Sequence, residues 1–456
     1  MSFDSLPFAM FLAATLLFWR FVPRPSLVLI AASVAFYYFA GARDMAIVST
    51  IVVANYFLSF AISRWRYSLY AAVLVNIGCL VLFKYRYLLF GGVEDADFFT
   101  SSIIIPLGIS FYTFQVTAYQ IDLYRGHCAH QTNFLKFALF VVFFPQLIAG
   151  PIVRSHQFMP QIERLFEGSR VRFSAPSLGL GLICLGIFKK VFIADSLAPH
   201  VDDIFAVGPA DMFTAWVGAW LFTFQIYFDF SGYSDMAVGM ARLFGIRLPV
   251  NFRQPYLSRS PREFWQRWHI TLSSWIRDYL YIPLGGSRDG GRFRQMAVMV
   301  FVMGLAGLWH GANWTFAIWG VAWALVIIVW RVCDPILSRH PLAGWFYTFF
   351  AAVFLWVIFR SPNIAFAADY LITMLGAPGA GTASIPDAGL ERLLISVGCL
   401  ALLILHRLER QLFHHRIARA LVRTSGPVTW GVLVGLSLWL LVMPKVNVNP
   451  FIYFRF

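Results

Sequence analysis

Charge is scarce in this sequence. Only 13% of its 456 residues are Asp, Glu, Lys or Arg, against 59% apolar residues, and no soluble domain of this size needs so much apolar surface. Cysteine is scarcer still. The five present (Cys79, Cys128, Cys184, Cys333 and Cys399) are scattered, mostly inside apolar runs and never at metal-ligand spacing, which leaves them as small core residues. There is no HExxH, no clustered Cys/His/Asp ligand set, no GxxxxGK[ST] and no GxSxG; these absences disfavour metalloproteases, ATP-driven pumps and serine hydrolases, and predict no metal. No soluble domain, linker or low-complexity tract separates the apolar runs, and no internal repeat is visible. The missing repeat weakens the case for a secondary transporter or flippase, many of which are built from repeated halves. The first apolar run lacks a basic leader and a small-residue cleavage site, so it is expected to be a retained helix.

What is present is one apolar run after another. Residues 6–22, 27–40, 45–62, 69–90, 103–121 and 134–149 come first; 178–194, 212–230, 297–309, 312–330, 342–359, 393–405 and 428–442 follow. Several approach the ~20 residues that cross a bilayer, so the expectation is a single all-α, polytopic membrane domain over residues 1–456 with roughly 11–13 transmembrane or re-entrant helices. The net charge of +14 calls for no nucleic acid, because the basic residues lie in short loops where the positive-inside rule places them. Arg24, Arg64, Arg66 and Arg125 face the cytoplasm if the N-terminus is outside, and the acidic loop 94–97 then falls outside. The stretch 407–423, with His414 and His415, is another cytoplasmic loop on this scheme.

Against this background one ring stands out. His310 is the only His, Asp, Glu, Lys or Arg in residues 296–330, set in Gly307-Leu-Trp-His-Gly-Ala-Asn-Trp314. An ionisable group inside a membrane span is costly without partners and marks a functional site by default. A helix over 297–309 measures about 20 Å against a core of about 30 Å, which predicts that His310 arrives at depth. Gly311 would leave room near the backbone, and Trp309 and Asn313 would shape the site. A lone histidine without a partnered nucleophile suits general-base catalysis, taking a proton from a hydroxyl as its oxygen attacks an activated acyl group.

The interval 229–294 is more polar and crowded with aromatic residues. Ser260-Pro261-Arg262-Glu263 has the form of a helix start, with Ser260 as N-cap, Pro261 at the first position and Glu263 closing a capping box. The spacing predicts a helix from there to Tyr281, ended by Pro283. Trp265, His269, Leu272, Ile276 and Leu280 would share one face, with Glu263, Arg267, Ser274 and Asp278 toward the other and Glu263–Arg267 paired. From these residues alone His269 is better explained by packing than by chemistry. Gln225, Asp229 and Asp235 are further polar candidates; the carboxylates could orient a histidine, pair with Arg262 or Arg267, or cap a helix, and a structural role is the better expectation for each alone. His127, His130, His156, His200, His340, His406, His414 and His415 look unremarkable.

Several long motifs occur in order: Asp229-Phe-Ser-Gly-Tyr-Ser-Asp235, Asn251-Phe-Arg-Gln-Pro-Tyr256, Arg259-Ser-Pro-Arg-Glu-Phe-Trp-Gln-Arg-Trp-His269, Leu272-Ser-Ser-Trp-Ile-Arg-Asp-Tyr-Leu-Tyr-Ile-Pro-Leu-Gly-Gly286, the stretch 307–314, and Phe451-Ile-Tyr-Phe-Arg-Phe456. The chain thereby resembles the membrane-bound O-acyltransferase family over nearly its whole length, most densely in residues 225–320 and most closely in its alginate O-acetylation branch. The resemblance implies helices around a funnel or tunnel, with His310 catalytic and His269 a second polar site residue. It implies an acyl donor from the cytoplasm, no bound cofactor, and transfer across a bacterial inner membrane toward an exported polysaccharide, with separate periplasmic acetyltransferase partners; the basic surface of residues 253–294 fits a phosphate-rich donor such as acetyl-CoA or an acidic carrier protein. On that scheme His269 lines the donor route beside Trp265, Arg262, Glu263 and Arg267. One departure stands out: where many relatives carry a further histidine, this chain has Trp319-Gly-Val-Ala-Trp323. A transporter without acyl chemistry, or an enzyme acylating a lipid, teichoic acid or protein, are the rival readings.

Overall fold

A computed structural model describes residues 3–85, 106–147, 150–168, 176–286, 291–385, 389–409, 417–424 and 426–442. The acidic loop 94–97, His414, His415 and the 451–456 motif lie outside the described residues. Those described are mostly helical, with no β-strand among them. Among the described residues six helices are long and apolar enough to cross a membrane: Ala42–Arg64, Ser68–Tyr85, Pro176–Val207, Arg292–His310, Trp314–Pro335 and Pro341–Arg360. Four shorter apolar helices join them: Leu6–Phe21, Pro25–Ala40, Ile364–Met374 and Pro427–Val442. The chain is an all-α, multi-pass membrane protein.

Three expected spans come out differently. The run 134–149 breaks into Phe134–Val142 and Phe144–Leu147, because Pro145 has no N–H and its ring clashes with the preceding turn. The run 212–230 belongs to a longer helix, Met212–Leu243, and 393–405 to Gly389–Glu409.

The described residues fall into two compact units, one of those within 3–187, 233–250 and 424–442, the other of those within 188–232 and 251–423. In the first, reciprocal amide bonds join Asn55 and Asn76 at 2.8 and 3.0 Å, and Gln120 donates to the Asn55 carbonyl at 2.8 Å. Apolar helices gain little from packing against one another in lipid, so buried amides of this kind act as glue. Asp235, half-buried, lies in this unit.

The second unit carries the sequence motifs. Its frame is the antiparallel pair Arg292–His310 and Trp314–Leu337. Their backbones almost touch: a Cβ on Gly307 would lie 2.0 Å from the Phe316 carbonyl, and one on Gly320 2.0 Å from the Met303 carbonyl. Only small residues at both crossings allow this approach. Asn313 in the connecting turn caps the second helix, its Oδ1 accepting from the Thr315 N–H at 3.1 Å while its Nδ2 donates to the Pro362 carbonyl at 2.8 Å.

Candidate active site

The polar motif segment begins as its sequence prescribes and then departs from it. Ser260 caps the helix Pro261–Arg267, accepting from the Glu263 N–H at 3.1 Å. Glu263 reaches back to the Arg259 N–H at 2.6 Å and pairs with Arg267 at 2.6 Å. The helix does not continue to Tyr281. It stops at Trp268, turns through His269 at φ 42°, ψ 53°, and restarts as Ile270–Ile276. The cause is a segment far away in sequence. The Asn251 carbonyl accepts from the Ile270 N–H at 2.9 Å, and the Asn251 side chain accepts from the Thr271 hydroxyl at 2.6 Å. Asn251 thus supplies the cap that starts the second helix, and its bonds hold His269 in a left-handed conformation that costs a non-glycine residue about 1–3 kcal/mol. The expected single face from Trp265 through His269 to Leu280 is lost at that turn.

His269 is fully enclosed, 0% exposed, with ring contacts to Phe230 at 4.7 Å, Phe252 at 6.3 Å and Trp309 at 6.3 Å. Burial pushes its imidazole down to about 3, so it is neutral at ordinary pH.

His310 is the last residue of the Arg292–His310 helix. That helix starts earlier than the apolar run suggests, because Arg292 and Arg294 are helical too. Its 19 residues span about 28 Å, close to a full hydrocarbon core of about 30 Å, so length alone does not place His310 at mid-depth. Packing encloses it instead. His310 is 4% exposed, with Trp309, Trp319 and Phe359 at ring-centroid distances of 4.9, 5.2 and 5.2 Å. A Cβ on Gly311 would lie 2.2 Å from the Phe316 ring, so glycine is required there for the turn to close.

One flank of His310 is open to a cavity of 1010 Å³, which is also lined by Trp265, Trp319, Arg262, Arg277 and Arg331. Gln295 lines it as well; it precedes His310 by 310 − 295 = 15 residues on one helix, so the cavity runs about 22 Å along that axis. Because the helix pair is antiparallel, Arg331 and Asp334 stand near the Gln295 level and Trp319 near His310. The cavity is therefore a corridor with arginine at one end and the enclosed imidazole at the other. His310 Nδ1 is sealed within the protein.

Of the sequence candidates, the structure brings His310, Trp265 and Arg262 to one cavity. His269, Trp309, Asn313, Glu263, Arg267, Gln225 and Asp229 are not on its walls. Trp309 is in ring contact with both histidines. Asp229 pairs with Lys190 at 2.7 Å rather than with Arg262 or Arg267. Gln225 is buried, and its Oε1 accepts no hydrogen bond among the described residues.

A second polar cluster was not expected from the sequence. Lys190 pairs with both Asp195 and Asp229 at 2.7 Å. Lys189 donates to Glu409, which also accepts from the Tyr227 hydroxyl at 2.7 Å. His406 is not unremarkable: it is 0% exposed, lies 3.9 Å from Glu409 and packs edge-on to Tyr227 at 4.5 Å. Two adjacent lysines within the apolar run 178–194 were the available signal. Among the described residues no group of three or more His, Cys, Asp or Glu side chains could hold a metal ion.

The family model for membrane-bound O-acyltransferases matches residues 127–368. The chain is 36% identical to the probable alginate O-acetylase AlgI of Pseudomonas putida over 421 residues, 86% of this chain and 84% of that protein. It is 41% identical to the probable alginate O-acetylase AlgI of Azotobacter vinelandii over 340 residues, 69% of this chain and 66% of that protein, just under two thirds of its length. It is 36% identical to the peptidoglycan O-acetyltransferase of Helicobacter pylori over 369 residues, 72% of this chain and 69% of that protein.

Proposed function

The chain belongs to the membrane-bound O-acyltransferase family, and from that premise we propose that it transfers an acetyl group from a cytoplasmic donor toward an exported polysaccharide. The observation that carries the reading is the corridor, whose arginine end suits an anionic donor and whose other end is His310. Arg262, Arg277 and Arg331 would hold the phosphates of acetyl-CoA, with the thioester delivered beside the imidazole. The relatives' printed names, O-acetylase of alginate and O-acetyltransferase of peptidoglycan, support both the acetyl group and a polysaccharide acceptor.

With Nδ1 sealed, Nε2 of His310 serves as the base. It takes the proton of the acceptor hydroxyl as that oxygen attacks the thioester carbonyl. The tetrahedral intermediate then collapses with loss of the thiolate, which recovers the proton from the imidazolium. His269 does not touch substrate. It is a positioning residue, in ring contact with Trp309, which in turn meets the His310 ring. The acceptor is a polysaccharide or a periplasmic acetyltransferase that passes the group on, and the site of action is a bacterial inner membrane. The experiment is co-expression of His310→Ala with its operon partners and measurement of polysaccharide acetylation against protein level. Loss of acetylation in a well-expressed variant is expected; wild-type acetylation would sink the assignment.

A further inference from the structure

Trp319 stands where the transferred group has to end. It lines the corridor, is 1% exposed, and meets the His310 ring at 5.2 Å and 90°. From this wall we infer that Trp319 is a specificity-determining residue that sets acyl length, admitting a two-carbon acyl group and excluding longer chains. The inference rests on the acyl-transfer reading of the same site.

The geometry leaves little choice. An acyl carbon under attack by a hydroxyl held on His310 lies about 3–3.5 Å from that oxygen, so the acyl group sits beside the imidazole. On the acyl-transfer reading the corridor side is taken by the body of the donor. The remaining flanks are closed by Trp309, Trp319 and Phe359.

Trp319 is itself held from behind. Trp356 is stacked on it at 5.6 Å and 27°, Phe359 meets it at 5.1 Å, and Trp265 at 5.9 Å. The backbone cannot retreat either, because Gly320 is pressed against the Met303 carbonyl. Added methylenes would therefore meet rings already packed at interior density. One methylene in such a pocket discriminates by about 10- to 200-fold.

The test is thiol release from acetyl-, butyryl- and hexanoyl-coenzyme A by the full chain in membranes, comparing the wild type with Trp319→Phe, Trp319→Leu and Trp319→Ala. Ile327→Ala serves as a control, because Ile327 lines the same corridor about 12 Å further along the helix. The butyryl-to-acetyl ratio is expected to rise about tenfold or more in Trp319→Ala, less in Trp319→Leu, and to stay near wild type in Trp319→Phe and Ile327→Ala. An active Trp319→Ala or Trp319→Leu with the wild-type ratio overturns the inference, as does an equal rise in Ile327→Ala. Loss of all turnover in both small variants while Trp319→Phe remains active also overturns it, since Trp319 would then serve something other than length. Absence of release from any donor by the wild type would fell the acyl-transfer reading first and this inference with it.

Discussion

Lys190 and His310 are both buried in the second unit, at 2% and 4% exposure, yet their surroundings share almost nothing. Lys190 lies 2.7 Å from each of two carboxylates, and its neighbour Lys189 donates to Glu409 beside Tyr227 and His406. His310 is surrounded by rings, with one flank on a large cavity. Charges removed from water must be neutralised where they stand, and the first cluster does that within itself. An imidazole costs less to bury and can be left facing space. The contrast separates two uses of buried polarity: one region ties helices together, and the other, on the proposed function, receives a substrate. Asp229 belongs with the first use, as a structural reading of its sequence position expects.

Three changes would break or sharpen that contrast. The largest effect on stability is expected from Lys190→Met, which removes the cation that Asp195 and Asp229 share. Breaking a buried pair in this way costs about 3–5 kcal/mol, so the unfolding midpoint of the purified protein should fall steeply. A midpoint equal to wild type would mean the three charges do not depend on one another.

His269 should act through pH. Its folded imidazole titrates at about 3, below the ordinary ~6.5 of an unfolded chain. The neutral fold is thus fully stable above pH ~6.5. As pH falls below that value the unfolded chain takes up a proton that the fold refuses, and stability drops progressively toward pH ~3. His269→Asn, which tolerates the left-handed turn, should remove this acid-side loss; an unchanged profile between pH 6.5 and 4 would contradict it.

The smallest effect belongs to Asn313. Asn313→Ala removes a helix cap and should cost about 1 kcal/mol, seen as a modest drop in unfolding midpoint with acyl transfer retained. Transfer lost at wild-type stability would instead move Asn313 into the site.

The all-α, multi-pass character was legible because apolar runs near 20 residues admit few alternatives. His310 was legible for the same reason, as the one titratable group in a long apolar stretch. The helix start at Ser260 and the Glu263–Arg267 pair follow from neighbours three and four residues apart, and both are present. The break at His269 was not readable locally, since its cap is Asn251. Nor was the Lys189–Glu409 pair, whose partners are 220 residues apart. His406 was passed over because its burial depends on Tyr227 and Gln254, which lie far from it in sequence. In each case the deciding group arrives through tertiary packing, which periodicity does not record.

The central claim is that His310 does chemistry and does not merely fill space. Its most direct test is acetyl transfer by His310→Gln, with the unfolding midpoint read on the same preparation. The account predicts transfer down by about 10²–10⁴-fold at a midpoint close to wild type. Transfer retained in the folded variant would contradict it.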